Sequence, residues 1–371
     1  MKNQEKLGLY LHQAVEKLIT QILKATLSHP KQTLFLFKMK KKWEQANRRK
    51  KIYGDRGVHV PVFLISSITE ACNLSCTGCY ARSNGICSSE KTDVQDLAGD
   101  QWDRFFREAA NMGIFFTILA GGEPLLRRDV LEKAAEINHM IFPVFTNGTL
   151  LNEEYIDFFS RHLHLIPILS IEGSRDHTDK RRGSGIFSKV TEVMNRFKTK
   201  KILYGVSITV TPENMEAVTS ESYLNELYAL GCKIVIYVEY VPVEPDTEHL
   251  TLNPRRQKKL DRSISIREKS FDKMVFLSFP GDEKFMGGCL AAGRGFLHIN
   301  PHGNAEPCPF SPFSDHNITR HSLEEILISP FFSKLRKSGL TQSIHTGGCV
   351  LFQKEEEVRN LLEEVNGESK T

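Results

Sequence analysis

Short apolar runs alternate with amphipathic stretches through the middle of the chain, and this alternation limits the possible folds more than any other feature. Apolar runs rich in β-branched residues are typical of strands buried on both faces of a parallel sheet, with the intervening helices outside. A closed barrel of this kind has eight strand–helix units, whereas six are visible here. The pattern therefore predicts an α/β fold, a partial (β/α)6 barrel of the TIM type. The predicted strands cover residues 60–69, 114–122, 141–148, 165–173, 203–210 and 233–243.

The flanking segments have a different pattern. Residues 5–28 show helical spacing of apolar residues, Pro30 ends that segment, and the basic stretch that follows predicts a second helix closing near Gly54. Beyond residue 245 the pattern loosens into a linker and a helix, followed by a strand from Val275 and a hairpin with the turn PHGN. We therefore predict three parts: a basic helical N-terminal extension at 1–58, the partial barrel at 59–245 and a small α+β domain at 246–371.

Positive charge is concentrated at the start of the chain. Residues 1–52 hold 13 Lys and Arg against 3 Asp and Glu, a net charge of +10, whereas the whole chain carries +4. Such an arm either meets an anionic partner, such as a membrane surface, nucleic acid or an acidic peptide, or is a solvated helical face. Its apolar positions fit packing on the barrel or a peripheral position on an anionic membrane. No nucleic acid is expected, and no apolar stretch approaches the ~18 residues that span a bilayer.

The chain has eight cysteines, and their setting favours metal binding or catalysis. The first residues carry charges within their apolar pattern, which is not typical of a secretory signal. Disulfide frameworks belong mainly to secreted proteins, so clustered cysteines in this chain indicate another use. The expected location is the cytoplasm, with the basic arm as the element that would contact a membrane.

The strongest chemical feature is the segment Cys72-Asn-Leu-Ser-Cys76-Thr-Gly-Cys79, directly after the first predicted strand. Parallel barrels carry their chemistry on the loops at the C-terminal ends of the strands. Cysteine thiolates bind iron–sulfur clusters, and three thiolates on a four-iron cluster leave one iron open. A zinc site is the alternative, although structural zinc takes four ligands and this loop supplies three.

A CxxxCxxC motif after the first strand of a βα barrel resembles the radical S-adenosylmethionine (SAM) superfamily, over roughly residues 60–350. The resemblance implies a [4Fe–4S] cluster on Cys72, Cys76 and Cys79, whose open iron binds the amino and carboxylate groups of SAM. It further implies reductive cleavage of SAM to a 5′-deoxyadenosyl radical, which abstracts hydrogen from a substrate. The expected electron donor is a ferredoxin or a flavodoxin.

Segments at later strand ends resemble the SAM-binding positions of the superfamily. Glu123, in GGEP, would meet the SAM ammonium, and Glu172 stands in SIEG where the superfamily often has Asp. Either Arg182 or its neighbour Arg181 would neutralise the SAM carboxylate, and Tyr80 would pack on adenine. The resemblance thus assigns SAM contacts to Tyr80, Gly121, Gly122, Glu123, Pro124, Asn147, Ser170, Glu172 and Arg182.

A second group of cysteines lies near the C terminus. Cys289, Gly303 and Cys308 form the pattern C-x13-G-x4-C, which resembles the opening of the SPASM domain. The dense cysteine run of a full SPASM domain is missing from the sequence, so the resemblance is closer to the reduced twitch domain, with one auxiliary [4Fe–4S] cluster. Ordinary buried cysteines are the alternative. The expected ligands are Cys289, Cys308 and Cys349, with Cys87, Cys232, His345 or the substrate as the fourth.

The resemblance defines a reaction type and leaves the substrate open. Related enzymes modify peptides and protein side chains or build small molecules, so we predict a hydrogen-abstracting maturase or biosynthetic enzyme. A membrane lipid is the alternative substrate, because the basic arm would suit an anionic membrane. A non-catalytic protein that binds zinc or an iron–sulfur cluster is the other class, and it requires the SAM-binding segments to be incidental. The sequence assigns no catalytic acid or base.

Overall fold

The computed structural model describes residues 2–27, 29–83, 95–280, 287–342 and 349–368. For residues 2–7, 9 and 368 it describes the backbone alone. Cys87 and His345, two of the alternatives for the fourth ligand of the second cysteine group, lie outside the described residues.

One curved sheet of nine strands organises the chain, in the order β7-β6-β5-β4-β3-β2-β1-β8-β9. Neighbouring strands pair in parallel from β7 through to β8, and only β8 and β9 pair antiparallel. The six strands predicted for the partial barrel are confirmed as β1 to β6. The strands are β1 (Phe63–Ser67), β2 (Phe116–Ala120), β3 (Phe142–Thr146), β4 (Leu165–Ser170), β5 (Gly205–Val210), β6 (Ile234–Glu239), β7 (Val275–Phe279), β8 (Phe296–Ile299) and β9 (Ala305–Glu306).

Helices follow the strands and cover the outer face of the sheet, as expected for parallel βα units. Helix α4 (Gly99–Met112), for example, buries Trp102, Phe105 and Phe106 and is capped by Gly113, whose φ of 96° is left-handed. Among the described residues, no helix is long and apolar enough to cross a membrane. The helices are α1 (Lys2–Thr26), α2 (Pro30–Asp55), α3 (Tyr80–Ser83), α4 (Gly99–Met112), α5 (Arg128–Glu136), α6 (Glu153–Arg161), α7 (Arg175–Arg182), α8 (Ile186–Thr199), α9 (Met215–Val218), α10 (Glu221–Ala229), α11 (Pro254–Ser270), α12 (Leu323–Leu327), α13 (Pro330–Lys337), α14 (Val350–Gln353) and α15 (Glu355–Glu368).

The chain beyond residue 245 adds strands to both edges of the six-stranded sheet. The predicted strand at Val275 is β7, which pairs with β6, and the predicted hairpin is β8 and β9. Strand β8 pairs with β1, where Phe63 lies opposite Phe296 and their rings stack 5.1 Å apart. The residues assigned by sequence to a separate C-terminal domain therefore continue the sheet of the barrel.

Buried polar side chains join β1, β8 and β9. Ser67 Oγ lies 2.8 Å from His298 Nε2, and His298 Nδ1 lies 2.7 Å from Glu306 Oε2. Asn300 Nδ2 donates to the other oxygen of Glu306 at 2.8 Å. All four side chains are buried, and buried polar groups are costly unless paired in this way. The network therefore favours a single arrangement of the three strands.

The N-terminal helices close the barrel at the end where its strands begin. Leu36, Met39 and Trp43 of α2 are each 1% exposed and pack in one cluster with residues at the strand starts, such as Phe115 and Leu203. The two predicted helices are thus confirmed. The sequence left two uses open for them, packing on the barrel and contact with an anionic membrane, and the structure shows the packing. Pro30 also begins α2, because proline is favoured in the first turn of a helix.

Candidate functional site

The loop after β1 carries the clustered cysteines at the C-terminal edge of the sheet; we call residues 68–83 the cluster loop. Burial raises the pKa of Cys76, the charges of Arg182 and Arg181 lower it, and the neighbouring Cys79 and Cys72 raise it further. Three thiols on one loop are a donor set that can hold an iron–sulfur cluster and leave one iron open.

The glycine pair after β2 lets the cluster loop approach the sheet. A β-carbon at Gly122 would lie 2.0 Å from the carbonyl oxygen of Ala71, and one at Gly121 would lie 2.5 Å from that of Thr69. The close approach allows Gly122 N to donate to Thr69 O and Glu123 N to donate to Ala71 O, each at 2.8 Å. The glycines thus position the loop, and their contact with SAM stays a prediction.

Glu123 is a buried carboxylate held by neutral donors. It is 1% exposed and accepts hydrogen bonds from Thr146 Oγ1 at 2.6 Å, Asn147 N at 2.8 Å and Leu125 N at 3.1 Å. Burial outweighs these bonds and raises the pKa of Glu123 to about 7. A cation beside this carboxylate would favour its ionised form, as the predicted contact with the SAM ammonium requires. Pro124 is buried in the short turn that Glu123 caps.

Asn147 links the end of β3 to the cluster loop. Its Nδ2 donates to Asn73 Oδ1 at 2.9 Å, and its Oδ1 accepts from the backbone N and Oγ1 of Thr149 at 2.9 Å and 2.6 Å. Asn73 Nδ2 in turn donates to Thr149 Oγ1 at 2.8 Å. This closed set of hydrogen bonds orients the loop between Cys72 and Cys76. The predicted place of Asn147 in the wall beside SAM is consistent with this position.

The residues after β4 place a buried carboxylate against two guanidinium groups. Ser170 ends the strand half-buried, and Glu172 is 2% exposed. Arg181 Nη1 and Arg182 Nη2 each lie 2.6 Å from Glu172 Oε1. Thr209 N donates to Glu172 Oε2 at 2.9 Å. Because a buried charge needs such partners, Glu172 fixes the orientation of both arginines.

Both arginines of the pair face the cluster loop. Arg181 Nη2 lies 3.5 Å from Gly78 O, and Thr77 N donates to Arg181 O at 3.0 Å. The charges of Arg182 and Arg181 both lower the pKa of Cys76, with Arg182 the stronger. The structure therefore brings both candidates for the SAM carboxylate to the site.

One aromatic residue of the cluster loop, Tyr80, and one that packs against the loop, Tyr240, border the site. Tyr80 packs on Phe310, with ring centroids 5.1 Å apart. At Gly78, with φ 67°, a β-carbon would lie 2.5 Å from Tyr240 Oη, so Tyr240 fills the space next to the loop. Tyr240 follows β6 and is 3% exposed. It is a second candidate for the adenine contact that is predicted for Tyr80, and its position directly after β6, at a strand end, is the sequence signal that marks it.

Polar contacts that the sequence did not reveal hold the root of the cluster loop. Thr69 Oγ1 donates to Asp96 Oδ2 at 2.6 Å, and Arg127 Nη1 lies 3.7 Å from the same oxygen. Glu70 pairs with His302. Glu70, Asp96 and His302 form the one His/Cys/Asp/Glu group that converges within 4.8 Å in the described part of the chain. Because the positive charge of Arg127 already lies beside these carboxylates, they do not need a metal ion, and we assign this group a structural role.

The second group of cysteines comes together beside β8 and β9. Cys289 and Cys308 are 4% and 2% exposed, and Cys349 is half-buried. Burial raises the pKa of Cys308 well above its ordinary value, and the bonded thiol of Cys349 and the charge of Cys289 raise it further. The three predicted ligands are therefore neighbours. Cys232 lies before β6, where its Sγ contacts Ile234 O at 3.3 Å.

An apolar pocket lies against the second group of cysteines. Phe310 lines it and also contacts Tyr80, so the pocket borders the cluster loop. Glu239 is the one charged residue among its lining residues; it is 4% exposed and accepts a hydrogen bond from Gln257 Nε2 at 2.7 Å. The described lining residues are Val238, Glu239, Val241, Phe279, Pro280, Cys289, Phe296, Cys308, Phe310 and Cys349.

Comparison with known proteins identifies the class of this chain. The family described as Radical SAM superfamily matches residues 66–220, which span the cluster loop, the glycine pair and the two arginines. The strand order and the position of the cysteine loop agree with this match. Over residues 66–220 the chain is similar to the radical SAM superfamily, and this match together with the named relatives indicates an enzyme. The superfamily implies a [4Fe–4S] cluster and SAM as cofactors.

Named relatives include enzymes with different products. The chain is 26% identical over 275 residues to the mycofactocin maturase MftC of Mycolicibacterium smegmatis, covering 69% of this chain and 66% of that protein. It is 27% identical over 304 residues to the AdoMet-dependent heme synthase of Methanosarcina barkeri, covering 75% of this chain and 85% of that protein.

A solved structure shares the fold. SuiB of Streptococcus suis, bound to its precursor peptide SuiA, superposes with a TM-score of 0.64 at 16% identity, covering 84% of this chain and 77% of that one. Another crystal structure of SuiB contains S-adenosylmethionine.

Replacing Gly122 with alanine should prevent the cluster loop from reaching its position. The added β-carbon would lie 2.0 Å from Ala71 O, so the loop backbone has to move. We expect Gly122→Ala to bind less than half of the wild-type iron after anaerobic reconstitution, measured by iron assay. Gly54→Ala is the control, because a β-carbon there meets nothing within 4 Å. Full iron content in the Gly122 variant would contradict this role of the glycine.

Glu123 should make the stability of the cluster-free protein depend on pH. Its pKa rises from 4.5 to about 7 on folding, so the folded chain binds more protons between these values. The free energy of unfolding therefore falls as pH rises through this window and stays lower above it. We expect Glu123→Gln to remove this fall, worth up to about 3 kcal/mol, in urea unfolding compared at pH values of about 5 and about 8.

The control for this experiment is Glu216→Gln, on the exposed side of α9, which should follow the wild-type pH profile. If the free energy of unfolding fell by the same amount between the two pH values in the wild type and in Glu123→Gln, the buried carboxyl group would not be the source of the pH dependence.

Proposed function

We propose that this enzyme abstracts a hydrogen atom from a substrate held in the apolar pocket, and that the substrate is a peptide side chain. The position of the pocket carries the proposal. Phe310 lines the pocket and packs on Tyr80 of the cluster loop, while Cys289, Cys308 and Cys349 also line it. The cysteine side of the pocket would hold the auxiliary cluster, so the substrate would lie at its Phe310 side, between the two cysteine groups, where apolar walls exclude water from a reactive centre.

Cys72, Cys76 and Cys79 would hold the first cluster. A [4Fe–4S] cluster with one open iron supplies the electron that cleaves bound SAM. Glu123 would accept a hydrogen bond from the SAM ammonium, and the arginine pair held by Glu172 would face the SAM carboxylate. Electron delivery by a ferredoxin or flavodoxin stays a prediction.

Cys289, Cys308 and Cys349 would hold an auxiliary [4Fe–4S] cluster, as in a twitch domain. Burial disfavours the thiolate of Cys308, and a bound metal centre would stabilise that thiolate. The backbone N of Ala291 lies 3.5 Å from Cys289 Sγ and is a donor to that sulfur. Cys232 is seven residues before Glu239, about 23 Å along the strand direction, so it does not supply the fourth ligand.

The comparisons favour a peptide among the three kinds of substrate. The mycofactocin maturase is named for maturation, and SuiB was crystallised with its precursor peptide. The heme synthase supports the alternative of a small molecule, and a lipid has no support of this kind among these three relatives. An apolar pocket with one buried carboxylate suits an apolar side chain beside a hydrogen-bond donor or a cation, which Glu239 would orient.

A non-catalytic metal protein is the other class, and the site argues against it. Such a protein has no need of the buried carboxylate at Glu123 or of two arginines aimed at the cluster loop.

Three cysteine variants separate the two proposed clusters. Wild-type protein reconstituted without air should hold about seven to eight irons and form 5′-deoxyadenosine from SAM with a reductant. Cys76→Ala should lose SAM cleavage, whereas Cys308→Ala should lose about half of the iron and keep cleavage at least in part. Cys232→Ala is the matched control at a buried cysteine outside both groups, and should keep iron and cleavage.

Colourless protein that holds zinc would refute the catalytic proposal. SAM cleavage by Cys76→Ala would refute the assignment of the first cluster. Unchanged iron in Cys308→Ala would refute the auxiliary cluster alone.

Transfer of deuterium tests the substrate. Deuterated peptide, small-molecule and lipid fractions of a bacterial extract are supplied separately, and deuterium in 5′-deoxyadenosine is measured by mass spectrometry. We expect transfer from the peptide fraction. In each preparation, deuterium transfer is divided by the rate of SAM cleavage without substrate. This ratio should be at least about tenfold lower for Glu239→Gln than for the wild type, because a charged hydrogen bond is lost. Glu216→Gln should transfer like the wild type.

Transfer from the small-molecule or lipid fraction instead would replace the peptide with that class. Normal transfer by Glu239→Gln would remove Glu239 from the substrate site and leave the reaction type unaffected.

A further inference from the structure

Three large apolar side chains are exposed where α1 turns into α2. Leu27, Leu34 and Phe37 are 66%, 58% and 57% exposed. Other apolar residues of α2, such as Leu36 and Trp43, are buried on the barrel, whereas Ile52 near the end of the helix is 60% exposed. We call residues 24–27 and 29–42 the hairpin tip. The exposed apolar residues of the tip therefore take no part in the packing of the helices on the barrel. Clustered exposed apolar side chains often mark an interaction site.

The hairpin tip is strongly basic. It contains six lysines and no Asp or Glu. Lys38, Lys40 and Lys41 are exposed, and none of the three forms an ion pair with another described residue. Lys31 donates to the backbone carbonyl oxygen of Ser160, which is neutral. Within the tip no described carboxylate pairs with this charge, and the first acidic residue beyond it on α2 is the exposed Glu44.

Lysines from the barrel add to the same field. Burial lowers the pKa of His29, and the charges of Lys233 and Lys201 lower it further, which places both lysines near the turn. Gln32 donates to the backbone carbonyl oxygen of Lys201. The positive surface therefore extends from the helices onto the end of the barrel where the strands begin.

The apolar and basic side chains share one face of α2. Leu34, Phe37, Lys38 and Lys41 recur at i, i+3, i+4 and i+7, which is one side of a helix. The buried residues of the same helix lie on the opposite side. Apolar side chains flanked by lysines on one helix face are the arrangement of elements that lie in a membrane interface.

We propose that the hairpin tip docks on an anionic phospholipid surface, with Leu27, Leu34 and Phe37 at the level of the acyl chains and the lysines at the phosphates. Charge complementarity selects this occupant, since a second copy of the chain would bring two basic surfaces together. The inference is independent of the proposed reaction. The pocket lies at the other ends of the strands, about 20 Å away for strands of six residues, so docking would locate the enzyme without presenting lipid to the pocket.

Vesicle binding tests the proposal with the full-length reconstituted enzyme. We expect co-sedimentation with phosphatidylcholine vesicles that contain about 30% phosphatidylglycerol, weaker binding to pure phosphatidylcholine, and weakening by salt. Lys38→Gln with Lys41→Gln should raise Kd about 30-fold, because each lysine near an anionic surface counts for about 1 kcal/mol. Leu34→Ser with Phe37→Ser should raise it about tenfold or more.

Matched controls change the same residue types elsewhere on the surface. Lys258→Gln with Lys269→Gln alters two exposed lysines of α11, and Ile266→Ser with Ile328→Ser alters two exposed apolar residues. These variants should bind like the wild type. Deleting the helices is not a useful test, because it would uncover the apolar strand starts that Trp43 covers.

Wild-type protein that fails to bind the anionic vesicles would overturn the proposal. Equal losses of vesicle binding in the tip variants and in the control variants would overturn it as well. Concentration-dependent dimerisation that the Leu34 and Phe37 changes abolish would assign the tip to self-association instead. SAM cleavage by each variant, measured without vesicles, separates these outcomes from a failure of the proposed reaction.

Discussion

Two backbone hydrogen bonds, from Gly122 to Thr69 and from Glu123 to Ala71, hold the cluster loop against the end of β2. They form because neither glycine has a side chain to keep the strands apart. The same contact brings the buried Glu123 carboxylate to the side of the cysteines. Sheet, loop and carboxylate are therefore positioned by one close approach of two backbone segments.

A second constraint is the pairing of β8 with β1. The strand that leads into the first group of cysteines lies beside the strand that separates Cys289 from Cys308. The buried contacts of His298 with Ser67 and Glu306 add side-chain bonds across the same strands. The segments that carry Cys72, Cys76, Cys79, Cys289 and Cys308 thus adjoin strands of one continuous sheet.

Local patterns account for what could be predicted from the sequence. The six barrel strands and the hairpin are short apolar runs that stand apart from their neighbours, and the two cysteine motifs are compact. Contacts between distant segments could not be predicted: Phe63 opposite Phe296, Tyr240 against Gly78, and Arg127 beside Asp96. Which residues meet in these contacts depends on how the sheet curves, and the curvature cannot be predicted from any single segment. The end of the first helix before Pro30 was visible in the sequence, and α2 begins at the same proline because proline is favoured in the first turn of a helix.

The parallel register of β1 and β8 has a consequence for how such a chain can vary. Successive side chains of a strand point to opposite faces, so an insertion or deletion of one residue in either strand would turn Phe63 or Phe296 out of the interior and reverse His298 as well. Loops tolerate changes of length far better. Natural and engineered variants of this enzyme should therefore differ in the segments around the cysteines while these two strands keep their lengths.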